Sequence, residues 1–138
     1  MTVYYLDTSV AAQILLGHSP EAAEWLDTVI AAADSSVVTS RILRTELTRV
    51  LRREQLPVSL RQELLDYLGL VPLTEAVLAE AEAIIPHLKT LDAIHLASAI
   101  STGLDVVIVT HDTTMRDVAE TVGYTTHDPV RPGKTDRP

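Results

Sequence analysis

Short β-branched runs alternate along the chain with longer stretches in which apolar residues recur every three or four positions. The short runs, at residues 3–6, 37–39, 70–73, 106–110 and 124–126, predict strands. Helical spacing over residues 10–16, 21–33, 41–54, 60–68, 75–85, 93–101 and 114–122 predicts the intervening helices. Such alternation is the signature of βαβ units, so the fold class is α/β with a central, mainly parallel sheet. Val106-Val107-Ile108-Val109 is apolar on both faces and reads as a buried central strand. Gly17, Gly69, Gly103 and Gly123 fall where helix C-caps are expected. A proline-rich stretch without apolar periodicity ends the chain, so one domain is expected over 1–129 with a flexible tail over 130–138.

The pattern places acids where ligands bind. Asp7 follows the first strand directly, at the carboxyl end of a parallel strand, where open α/β sheets hold their ligands. Asp112 repeats this arrangement after residues 106–110. Asp92 opens the segment 90–99, TLDAIHLASA, whose alanines imply a helix packed closely on its neighbours, with Thr90 as the expected cap. Glu46 borders the stripe of Leu43, Leu47, Val50 and Leu51 on its helix, half turned toward the core.

Each acid alone has an ordinary structural explanation. Asp7, Ser9 and Asp112 suit helix N-caps, Asp92 suits the positive end of a helix dipole, and Glu46 can pair with Arg49 or Arg53 at the solvent. Only their combination points to chemistry. His95, on an alanine-rich helix, reads as a structural residue held by packing or a buried hydrogen bond. His18, His87 and His127 read as solvated.

Composition narrows the chemistry. With no cysteine among 138 residues, a disulfide framework and thiolate metal sites are excluded, leaving oxygen and imidazole donors and hence hard cations. The formal charge of −8, from 11 basic and 19 acidic residues, is the wrong sign for a protein that coats nucleic acid. Bound divalent ions would invert that field locally. Aromatic residues are 4%, too few for base stacking to dominate recognition of a nucleic acid. No secretion signal or membrane-spanning run is seen, so a cytoplasmic location without membrane partners is expected.

Taken in order, Asp-Thr-Ser after the first strand, a glutamate on the third helix, Leu-Asp-Ala-Ile-His-Leu-Ala, and Thr-x-Asp after a later strand resemble the PIN-domain family. In length and motif order the chain is most similar to the VapC-type toxins of type II toxin–antitoxin pairs. The resemblance implies a three-layer α/β/α fold. It also implies an endoribonuclease dependent on Mg2+ or Mn2+, a cognate antitoxin partner, and assembly as a homodimer and as a toxin–antitoxin hetero-oligomer. Asp7, Glu46, Asp92 and Asp112 match the family's acidic positions as catalytic and metal-binding residues, with Thr8, Ser9 and Thr110 as supporting hydroxyls. Arg49 and Arg53, on the Glu46 helix, are the candidates for contacting RNA, and Leu15, Leu16, Trp25 and Leu26 are candidate antitoxin anchors. His111 carries no assigned role. A haloacid-dehalogenase-like phosphatase is the alternative enzyme, but it requires a second aspartate where Ser9 stands. A catalytically inactive interaction domain is the alternative outside enzymes.

Overall fold

The computed structural model describes residues 1–130. Five parallel strands, β1 (Thr2–Leu6), β2 (Ser35–Ser40), β3 (Gly69–Val71), β4 (Val107–Val109) and β5 (Thr125–His127), form one sheet in the order β3-β2-β1-β4-β5. Seven helices connect and cover them: α1 (Thr8–Leu15), α2 (Pro20–Ala31), α3 (Ile42–Arg53), α4 (Arg61–Leu65), α5 (Glu75–Ala83), α6 (Thr90–Ser101) and α7 (Thr113–Thr121).

The period-two geometry of β1 divides the core. Tyr4 and Leu6 face one layer with Val37, Val109 and the apolar faces of α1 to α4, including Val10, Leu26, Leu43, Leu47 and Leu64. Val3 and Tyr5 face the other with Val38, Ile108, and Leu96 and Met115 of α6 and α7. These are the three layers expected, with both faces of the parallel sheet covered. Among the described residues no helix is long and apolar enough to cross a membrane.

Several boundaries differ from the sequence expectation. The helix expected from residue 93 begins at Thr90, so Lys89 rather than Thr90 is its N-cap, and Asp92 lies in the first turn. The helix expected over 60–68 is a 3-10 turn (Val58–Leu60) running into the five-residue α4. β3 ends at Val71, before Pro72, which has no N–H for a ladder. Gly17, Gly103 and Gly123 take positive φ as helix-ending glycines do, whereas Gly69 opens β3 instead. There an added Cβ would stand 3.3 Å from Val38 Cγ1, so close strand packing explains the glycine.

Of the tail expected over 130–138, Val130 is partly buried against the core, and 131–138 lie outside the described residues. Leu26 is a core residue, and Trp25 packs edge-on against Tyr4 with ring centroids 5.4 Å apart, so neither is the exposed anchor expected. His127 is exposed, as expected, and its ring lies 5.7 Å from that of Trp25.

Candidate active site

β1 and β4 are sheet neighbours, so their carboxyl ends bring Asp7 and Thr110 together. Asp7 is only 2% exposed and sits at the N-cap of α1 without capping it. Its Oδ2 instead accepts from Ser9 Oγ and Thr110 Oγ1, each at 2.8 Å. Those hydroxyls are themselves oriented from behind: the His111 N–H donates to Ser9 Oγ at 2.9 Å and the Asp112 N–H to Thr110 Oγ1 at 3.1 Å. Backbone dipoles are thus relayed through two hydroxyls onto one carboxylate, and the helix-cap explanation fails for Asp7. It holds for Asp112, whose Oδ1 accepts from the Met115 N–H at 2.9 Å and caps α7.

The Asp92 carboxyl is perturbed by its surroundings. Burial, then repulsion from Asp7 and Asp112, pushes its carboxyl up to about 6, with a smaller opposing pull from His95. Glu46, on α3, forms no solvent pair with Arg49 or Arg53; Arg53 pairs with Glu54 at 3.1 Å, and Arg49 is exposed. The Glu46 side chain turns inward, where its Oε1 accepts from Thr8 Oγ1 and lies against His95 Nε2, both at 2.7 Å.

His95 is 1% exposed, and its Nδ1 lies 2.7 Å from the Tyr5 hydroxyl. Burial alone would lower its pKa, but the hydrogen bond to Glu46 and the charges of Asp7, Glu46 and Asp92 outweigh that and raise it. Burial is also what chiefly raises the Tyr5 pKa. The buried hydrogen bond expected for His95 is therefore present, but its partner is one of the four acids. Sequence reasoning missed that link and Tyr5 altogether. The only available signal was the spacing of His95 one helical turn after Asp92. His111 also has a partner, Asp128 Oδ2, 2.9 Å from its Nδ1.

The donor set fits a hard cation in kind: carboxylate oxygens, mutually repelling, with no lysine or arginine paired to Asp7, Asp92 or Asp112 among the described residues. Among those residues, no three acidic or histidine side chains gather closely enough to enclose an ion. Magnesium does not require such a cage, since it is commonly held by one or two carboxylates and retains several waters.

The family profile described as "PIN domain" matches residues 4–121. The chain is 37% identical over 132 residues to a protein named Ribonuclease VapC47 from Mycobacterium tuberculosis, covering 91% of this chain and 96% of that protein. It is 30% identical over 128 residues to Ribonuclease VapC46 from the same species, covering 89% and 95%. Among solved structures, the complex VapBC2 from Rickettsia felis bound to a promoter DNA fragment superposes with a TM-score of 0.72. It shares 14% identity over 92% of this chain and 98% of that one, a likeness of fold.

Proposed function

This chain belongs to the PIN-domain family, and on that premise we propose that it is the ribonuclease toxin of a toxin–antitoxin pair, a metal-dependent endoribonuclease acting in the cytoplasm. The observation that supports the reading most is that Asp92 is held partly buried within electrostatic reach of Asp7 and Asp112, whose charges add to burial in raising its pKa. Proteins named as ribonucleases among its relatives give the acids their reaction.

Asp7 and Asp92 would hold the cation directly, and Glu46 and Asp112 directly or through water; Mg2+ is the first candidate and Mn2+ the second. When bound, the ion supplies a more acidic water and neutralises charge on the phosphate. The chain's own residues supply order. Ser9 and Thr110 fix Asp7, the α7 cap fixes Asp112, and Thr8 fixes Glu46, so the carboxylates need little rearrangement on binding. Above pH of about 6 Asp92 is ionised and available as a ligand. Arg49 and Arg53 are proposed to meet phosphates of the RNA, offsetting locally a chain of net charge −8.

A groove of about 200 Å3 lies between α1, α2 and α4, its apolar residues Ile14, Leu15, Leu26, Ile30, Leu64 and Tyr67 joined by the acids Asp27 and Glu63. It is the surface we assign to the antitoxin, within a hetero-oligomer built on a toxin homodimer. The deciding experiment incubates structured RNA with purified protein, with chelator and then with Mg2+ or Mn2+, beside Asp7→Asn and Asp92→Asn. Metal-dependent cleavage lost in both folded variants is expected. A phosphate-ester hydrolysis without RNA cleavage would favour the phosphatase, and RNA binding without turnover the inactive domain.

A further inference from the structure

We propose that His95 is a positioning residue for the nuclease reaction, holding one oxygen of Glu46 so that the other is presented to the acidic cluster; the proposal rests on the nuclease reading above. A glutamate on a helix surface is free to sample several rotamers, and ordering it costs conformational entropy. Glu46 only borders the apolar stripe of α3, so packing alone does not order it. What orders it is a closed triangle: Thr8 Oγ1 to Glu46 Oε1 at 2.7 Å, His95 Nε2 to the same oxygen at 2.7 Å, and His95 Nε2 to Thr8 Oγ1 at 2.9 Å.

The protons of that triangle follow from valence. Thr8 has one hydroxyl hydrogen and gives it to Glu46, so toward His95 its oxygen is an acceptor. The carboxylate is an acceptor too. Nε2 faces two acceptors and therefore carries hydrogen, in the neutral and in the charged imidazole alike, so the clamp does not depend on a protonation event. On the opposite edge, the 2.7 Å contact of Nδ1 with the Tyr5 hydroxyl fixes the ring, since a flip would set carbon atoms against both partners. Tyr5 is 0% exposed and belongs to β1, whose end carries Asp7, while His95 lies one helical turn after Asp92 on α6. One imidazole thus ties the Glu46 carboxylate to the two elements that carry Asp7 and Asp92. Stability does not demand this arrangement, because buried polar networks are often replaced by well-packed apolar residues at no loss.

The variants that test it separate the two ring edges. Gln at position 95 sets an amide nitrogen near the place of Nε2, whereas Asn reaches only the place of Nδ1. With Mn2+ saturating, His95→Asn is expected to lower kcat on the order of 10–100-fold with KM for RNA little changed, and His95→Gln to recover most of it. In a Glu46→Gln background His95→Asn should cost almost nothing further, since its effect passes through the missing carboxylate. A readout without metal or substrate is the Nε2–H resonance of the protein with 15N-labelled histidine, slow to exchange in wild type and displaced by Glu46→Gln. It applies even if His95→Asn does not fold. Wild-type cleavage with an unchanged kcat in folded His95→Asn, a full additional loss in the Glu46→Gln background, or a resonance indifferent to Glu46→Gln overturns the positioning role alone. No cleavage by wild type with any divalent metal overturns the nuclease reading and takes the proposal with it.

Discussion

Thr110 Oγ1 donates to Asp7 Oδ2 at 2.8 Å across 103 positions of sequence, and both residues are 2% exposed. Thr110→Val keeps the shape but removes this donor and the acceptor of the Asp112 N–H. Leaving a buried carboxylate short of a partner costs about 1–3 kcal/mol. We expect a lower denaturant midpoint together with slower RNA cleavage. Thr110→Ser retains the hydroxyl and should lose only about 0.8 kcal/mol with its methyl group. Equal behaviour of the two variants would argue that the hydroxyl does not hold Asp7.

The raised carboxyl of Asp92 sets a pH dependence with a definite sign. Between its ordinary value of 3.8 and about 6, the folded protein keeps a proton that the unfolded chain has lost. Stability from this group is therefore complete below about 4 and is lost as pH rises through about 6. Without metal, Asp92→Asn should be more stable than wild type at pH 7.5 by on the order of 1 kcal/mol, allowing for solvent screening of a half-buried group. The gap should close toward pH 4. Parallel stability profiles for the two proteins would mean that the acids do not repel one another there.

Metal should invert that sign. A cation at the cluster favours the ionised carboxylates, so its contribution is present at neutral pH and is lost as acid displaces it. At 100 times the dissociation constant, mass action adds about 2.7 kcal/mol, a melting shift of several degrees for a domain of this size. Thermal melts with chelator and with excess Mg2+ or Mn2+ at fixed ionic strength measure it. Asp7→Asn should abolish most of the shift; a shift of equal size in wild type and variant would place the ion elsewhere.

The groove between α1, α2 and α4 makes a separate prediction. Tyr67 lines it and is 61% exposed, so its removal costs the fold little. Tyr67→Ala should weaken antitoxin binding at least about tenfold, equivalent to about 1.4 kcal/mol, and leave RNA cleavage intact. Trp25→Ala should act differently, lowering the melting temperature through its lost contact with Tyr4. Calorimetric titration with the antitoxin separates the two, and an unchanged affinity for Tyr67→Ala would move the interface away from this groove.

The parts of the fold that rest on local chemistry were legible in the sequence. The unbroken apolar run 106–109 announced β4, and the apolar periods of α2, α3 and α7 fixed those helices to within a few residues. Boundaries set by neighbours were not. Nothing local distinguishes Gly69 as a strand residue, because the constraint on it is Val38 of the adjacent strand. The same division runs through the site. The inward lean of Glu46 followed from its place beside Leu43 and Leu47, but its hydrogen-bond partner His95 stands 49 residues away, beyond any spacing rule. Trp25 misled because an aromatic on an early helix looks the same from sequence whether it meets solvent or, as here, Tyr4.

The pairing of β1 with β4 gives the molecule a clock. Leu6 is in register with Val109, and the Asp7 N–H donates to the Val109 carbonyl at 2.9 Å, so the first acid has no fixed place until the fourth strand exists. A chain still being synthesised carries Asp7, Glu46 and Asp92 well before Val109 and Thr110 have emerged. Every residue of the α1–α2–α4 groove, from Ile14 to Tyr67, is by contrast made earlier. At about 5–20 residues per second, the interval between the two is a matter of seconds. The order of translation thus makes the surface assigned to the inhibitor before it completes the centre that would cut RNA.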